Sequence, residues 1–106
     1  MDISLLESEI VEHLRILDPE KIILFGSYAT GAYNEESDID IFLCKDLDRD
    51  TARKYNLQAR RCLRDLIFKY NIGFDVITAP EAFVKSRSDS FFKHEVLQKG
   101  KLLYAK

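Results

Sequence analysis

The sequence predicts an α/β (α+β) fold: a small mixed β-sheet flanked by helices, as a single domain over residues 1–106. Three observations predict it. The short runs Lys21 to Phe25 and Asp38 to Leu43 are apolar and rich in isoleucine, with the length of strands. Longer stretches around them carry apolar residues at spacings of three and four, the period of helices with one buried face. The longest of these stretches lies between two strand-like runs, and it is long enough to cross over and lay those strands parallel.

Ser4 to Leu17 reads as the first helix. Ser4 and Glu7 have capping-box spacing, Leu6, Ile10, Leu14 and Leu17 form one stripe, and Asp18-Pro19 stops it. His13 lies beside that stripe and reads as a surface or boundary residue. Lys21 to Phe25 is the first strand, covered on both faces. Ser27 to Thr30 fits one helical turn that Gly31 ends, and Ala32 to Glu36 is a polar loop into the second strand, Asp38 to Leu43. Tyr28 and Tyr33 stand where a base or ribose would stack, although packing is the commoner fate of a tyrosine.

Lys45 to Asp50 is a charged connection in which Asp48 or Asp50 caps the next element. A long helix is expected from about Arg49 to Tyr70, with Ala52, Tyr55, Ala59, Cys62 or Leu63, Leu66 and Tyr70 toward the core. Arg53, Lys54, Arg60, Arg61 and Arg64 gather on its outer side. The plainest reading of that side is a solvated helix face, and the alternative is a surface for RNA or an acidic partner. Asn71-Ile72-Gly73 breaks the helix, and Phe74 to Thr78 is the third strand. Pro80 to Val84 reads as a short helical turn, Lys85 to Asp89 as a polar loop, and Phe91 to Lys99 as a last helix bearing a surface His94. Lys101 to Tyr104 closes the chain as an edge strand.

Composition bounds the function. A formal net charge of −2 argues against strong, direct binding of nucleic acid. No run approaches the roughly 20 apolar residues of a membrane span, so no membrane role is expected. The opening MDISLLESEI lacks the basic start and apolar centre of a secretory signal. Cys44 and Cys62 read as core-type thiols in a reducing compartment, and a cytoplasmic protein is expected.

The chemistry concentrates between Ile22 and Leu43. Asp38 and Asp40 lie two apart, so on a strand they point to one face with Cα atoms roughly 6.5–7 Å apart. Two metal ions in a phosphoryl-transfer site sit about 3.5–4 Å apart, and carboxylates at strand spacing can share or flank such a pair. Gly26-Ser27 ends the first strand. Its glycine admits a phosphate close to the backbone, and a helix opening at Ser27 aims N–H groups at it. A lone D-x-D is ordinarily solvated surface, and a lone Gly-Ser is ordinarily a turn. Here Ile39, Ile41 and Leu43 fill the opposite face, and like charges side by side on an internal strand call for a cation or a partner to compensate them. Asp75, flanked by Phe74 and Val76, is a third carboxylate in an apolar strand, and a parallel crossover sets it beside the other two.

Gly26-Ser27, Gly31 and Ser37-Asp38-Ile39-Asp40 resemble the G-S-x-x-x-G-x(5)-S-D-x-D signature of the DNA polymerase beta-like nucleotidyltransferase superfamily. In its short length the chain resembles the minimal nucleotidyltransferases, many of which resemble antitoxins paired with a small helical HEPN-type toxin. Thr30 stands where several relatives carry an arginine. The resemblance implies a nucleotidyltransferase fold and a two-metal Mg²⁺ site. Asp38, Asp40 and Asp75 would be the metal ligands, with Asp75 also the base at the attacking hydroxyl. Gly26 and Ser27 would hold the β- and γ-phosphates of ATP, and Ser37 is a further candidate nucleotide contact whose hydroxyl alternatively ties the loop to the strand start.

Larger relatives add a domain for the acceptor, and no stretch here is left to form one. The expectation is therefore transfer of AMP to a hydroxyl on a protein partner, a tyrosine of a HEPN ribonuclease toxin, within a hetero-oligomer. Two alternatives stand beside it. One is a non-catalytic antitoxin acting by steric occlusion. The other is a small-molecule, antibiotic-type nucleotidyltransferase with its acceptor pocket between two subunits.

Overall fold

A computed structural model describes residues 2–80, 82, 96 and 98–106. Helix α1 covers Ile3–Leu14 and runs into a 3₁₀ turn, Arg15–Leu17. Strand β1 is Lys21–Phe25, α2 is Ser27–Thr30 and β2 is Ile39–Cys44. Helices α3, Arg49–Cys62, and α4, Arg64–Tyr70, precede β3, Phe74–Ala79, and β4 is Lys101–Ala105. The expected turn, loop and helix at 80–99, including His94, fall largely outside the described residues.

The four strands lie in the order β3-β2-β1-β4. β1 is antiparallel to β2 and to β4, and β2 is parallel to β3, so the sheet is mixed as expected. In β1, Ile22, Ile23, Leu24 and Phe25 are all buried, because both faces of this central strand are covered. One face carries Ile22, Leu24, Ile39, Ile41 and Leu43 against Leu6, Ile10 and Leu14 of α1 and Tyr55, Ala59, Leu63 and Leu66 of α3–α4. The other carries Ile23, Phe25, Phe42 and Cys44, with Val96 packed on them. Burying each large apolar side chain contributes about 1.5–3 kcal/mol.

Three local expectations are corrected. The cap of α1 is Asp2 rather than Ser4: its carboxylate accepts from the Ser4 and Leu5 N–H groups at 3.0 and 3.3 Å. A carboxylate placed just before the first turn satisfies two of the orphan donors there. The long helix is two helices, broken at Leu63, whose carbonyl accepts from both Leu66 and Ile67 N–H. Leu63 and Leu66, at and just after the break, both stay in the core. Finally, β2 begins at Ile39, so Asp38 stands one residue before the strand.

Other expectations hold. Asp48 caps α3, accepting from Thr51 N–H at 2.7 Å. Gly31 closes α2 at φ 81, and Asn71 closes α4 in the left-handed conformation, which asparagine tolerates better than most residues. His13 is half-buried, with Nδ1 2.7 Å from the Glu9 carbonyl, a boundary position. Among the described residues no helix is long and apolar enough to cross a membrane.

Candidate active site

The site is set by the register of three strands. Phe25 at the end of β1 pairs with Asp40 of β2, and Asp40 pairs across the parallel ladder with Asp75 of β3. Directly paired residues share a face, so the two carboxylates stand side by side on the face that carries Phe25 and Phe42. Asp38 has the same parity one step before the strand. It is tied in by the Ile39 N–H, which donates to the Gly73 carbonyl at 2.9 Å.

Two glycines make room for these acids. A β-carbon on Gly26 would collide with the Asp40 carboxylate, and one on Gly73 would fall 2.6 Å from Asp38 Oδ1. Gly26 also holds φ 74, ψ −152, a conformation open essentially to glycine alone. It thereby turns β1 into α2, whose first N–H groups, Ser27 and Tyr28, precede any acceptor within the helix. Gly73 is a site residue that reads from sequence only as a helix breaker. A signal for it exists nonetheless: a glycine directly before a strand whose neighbour begins with an aspartate.

Asp40 and Asp75 line a cleft of about 520 Å³ together with Phe25, Gly26, Arg60, Val76 and Ile77. Asp40 is half-buried, while Asp75 and Asp38 are exposed. Burial above all, then the charges of Asp75 and Asp38, pushes the Asp40 carboxyl above its ordinary value. Arg60, expected on a solvated helix face, is exposed as expected and also lines this cleft. The turn of α3 brings it to the rim beside Asp75, yet none of the ion pairs among the described residues includes it.

Clustered carboxylates that join no described ion pair form the donor set of a hard divalent ion. Among the described residues no three His, Cys, Asp or Glu side chains close on one point as a finished metal cage would. Mg²⁺ does not ask for a cage, because it keeps waters and takes one or two carboxylates plus phosphate oxygens. The residues therefore fit it as an open site.

Of the remaining candidates, Ser27 is half-buried at the start of α2. The Ser37 hydroxyl works within its own loop, accepting from Asn34 N–H at 3.0 Å and approaching Asn34 Oδ1 at 3.4 Å. Tyr28 and Tyr33 stack on each other, with centroids 4.3 Å apart and planes 5° off parallel. Tyr28 is buried, and that burial, then Tyr33 and Asp38, raises its phenol above the ordinary value.

Comparison with known proteins agrees with this fold. A Methanocaldococcus jannaschii protein assigned as a protein adenylyltransferase is 40% identical over 80% of this chain and 78% of its own length. A second such protein of that organism is 32% identical over 68% and 67%. Among solved structures, a toxin–antitoxin complex with AMP-PNP superposes at a TM-score of 0.62 with 25% identity, covering 94% of this chain and 73% of the other. A complex of the tri-AMPylated Shewanella oneidensis HEPN toxin with its MNT antitoxin superposes at 0.56, with 25% identity over 97% and 72%. Residues 8–106 match the model of the polymerase beta nucleotidyltransferase family. With that match over nearly the whole chain and a relative 40% identical over 80% of it, this chain belongs to the polymerase beta family of nucleotidyltransferases.

Proposed function

We propose that this nucleotidyltransferase moves AMP from ATP to a hydroxyl on a partner protein, a tyrosine of a HEPN-type toxin, and acts as the antitoxin of that pair. The observation that carries the reading is the direct pairing of Asp40 with Asp75, with Gly26 packed on the Asp40 carboxylate. Relatives assigned as protein adenylyltransferases and neighbours crystallised as toxin–antitoxin complexes support the choice of acceptor.

In this reading Asp38, Asp40 and Asp75 hold Mg²⁺, which when bound neutralises triphosphate charge and acidifies the acceptor hydroxyl. The N–H groups at Gly26-Ser27 hold the β- and γ-phosphates on the β1 side of the cleft. The acceptor enters on the β3 side. Asp75 takes the proton as the acceptor oxygen bonds to the α-phosphorus, and the bond from that phosphorus to the bridging oxygen breaks. Pyrophosphate leaves from the Gly26 end. Ser37 keeps the loop before Asp38 in shape through Asn34, so its part is to position the aspartates. The work of the chain is alignment and charge placement, which phosphoryl-group chemistry chiefly demands. Cys44, buried, and Cys62, half-buried, are thiols rather than a disulfide, which suits the cytoplasm where such a toxin would act.

The test is to incubate the chain and its toxin partner with ATP and Mg²⁺ and record the partner's intact mass. Wild type adds AMP, and Asp75→Asn loses transfer more completely than it loses partner binding. A partner neutralised equally by both proteins, with no change in mass, would replace the enzyme with a steric antitoxin.

A further inference from the structure

The strand order leaves β3 at the margin of the described sheet, and α3 runs beside it. On α3, Arg49, Arg53, Asn56 and Arg60 recur at the spacing of a single helix face. The first three line a depression of about 470 Å³ with Ile77, Thr78 and Pro80 of the strand side. Arg60 lines the catalytic cleft with Asp40 and Asp75, and Ile77 lines both spaces. A single groove therefore runs down the edge of β3 and opens onto the carboxylates. The helical rise from Arg49 to Arg60 gives it a length of roughly 16 Å, which an extended segment of about five residues spans.

We infer that this groove seats the acceptor, and that the acceptor is an extended, acidic segment of the partner protein with its hydroxyl at the Asp75 end. The inference rests on the adenylyl-transfer reading and adds how the acceptor is chosen. Charge is the first support. Arg49, Arg53 and Arg60 join none of the ion pairs among the described residues, so the row of guanidinium groups along the groove is not tied up in salt bridges with described carboxylates. Acidic side chains trailing from the hydroxyl meet that row, whereas basic ones are repelled by it.

The backbone is the second support. Gly73 and Ala79 direct their carbonyls inward to the Ile39 and Lys45 N–H groups. In a parallel ladder the alternate residues, Phe74, Val76 and Thr78, then turn their N–H and C=O groups outward. Among the described residues no strand pairs with that edge. An extended segment can add to it, taking affinity from the main chain and specificity from the arginines. A side-chain hydrogen bond from Thr78 to Asn56 keeps helix and strand together at the middle of the groove.

The probes are two synthetic peptides, one with a tyrosine followed by glutamates and one with lysines in their place. Transfer from ATP with Mg²⁺ is followed by peptide mass, and binding without ATP by fluorescence anisotropy. The glutamate peptide should bind and be used at least about tenfold better, the scale of two favourable rim charges. Arg49→Glu with Arg53→Glu should abolish or invert that preference, mainly through KM. Lys54→Glu with Arg61→Glu, an equal charge change outside the groove, should leave it alone. Equal use of both peptides, binding of neither, or insensitivity to the double reversal overturns the inference. So does an oligoadenylate that binds through Arg49 and Arg53 where the glutamate peptide does not, which would make the groove a nucleic-acid site. The two readings fail separately: absence of AMP transfer to any acceptor sinks the reaction, while the ATP-free binding arm still judges the groove.

Discussion

Asp38 and Asp40 occupy volumes that β-carbons would otherwise fill on Gly73 and Gly26, and the two glycines should respond differently to substitution. Gly73 holds no left-handed φ, so Gly73→Ala only displaces the Asp38 carboxylate. Transfer should fall about tenfold to a hundredfold with little change in melting temperature, since small misplacements at a reacting centre cost that much. Gly26→Ala adds backbone strain of about 1–3 kcal/mol at φ 74 and should lose stability as well as transfer. Steady-state rates beside thermal melts separate the two; equal loss of stability in both would contradict the geometry. Away from the site, Glu9 accepts from the Tyr70 hydroxyl at 2.6 Å and from Lys69 at 3.0 Å. Those bonds, Tyr70's first, hold its carboxyl below the ordinary 4.5. A carboxylate lowered on folding contributes stability that is fully present above 4.5 and is lost as pH falls through the depressed value. Urea midpoints measured down the acid limb should therefore fall less steeply in Glu9→Gln than in wild type.

At the scale of elements, caps and register matter more than propensity. Asp2→Ala leaves two first-turn donors of α1 without their carboxylate and should cost about 1 kcal/mol, read as a lower denaturant midpoint at unchanged slope. An unchanged midpoint would mean that α1 is held by its Leu6, Ile10 and Leu14 face alone. The stripe of α3 and α4 was legible because burial follows helical spacing: Ala52, Tyr55, Ala59, Leu63 and Leu66 are all buried. The break at Leu63 was not legible, since neither glycine nor proline marks it. Tyr55 of the same stripe is tied across the core, its hydroxyl donating to the Leu17 carbonyl at 3.0 Å. Burial, with Asp18 and Cys62 contributing, pushes that phenol up to about 12.

For the molecule as a whole, the half-buried acidic cluster should be relieved by the ligand proposed for it. Asp40 is half-buried beside two like charges, so Mg²⁺ with a nucleoside triphosphate should stabilise the native state by mass action. A hundredfold excess of ligand over its dissociation constant corresponds to about 2.7 kcal/mol. Replacing Asp38 and Asp40 together by Asn should abolish the effect and raise the ligand-free melting temperature by removing the repulsion. A double variant that still responds to Mg²⁺–ATP as wild type does would remove these residues from the nucleotide site.

The sequence by itself determined the described strands, the helical stripes and the grouping of Gly26, Ser27, Asp38 and Asp40 along the chain. Each depends on residues close in the chain: a run of isoleucines, a helical stripe, a glycine after a strand, two acids at strand spacing. The tertiary structure decided what depends on distant segments meeting. The parallel register of β2 and β3 puts Asp75 against Asp40, and a slip of one residue would have turned Asp75 to the opposite face. The same meeting gives Gly73 its reason to lack a side chain and brings the exposed Arg60 to the rim of the cleft. Local spacing says which side of an element a residue occupies; only packing against the rest of the chain says what that side faces.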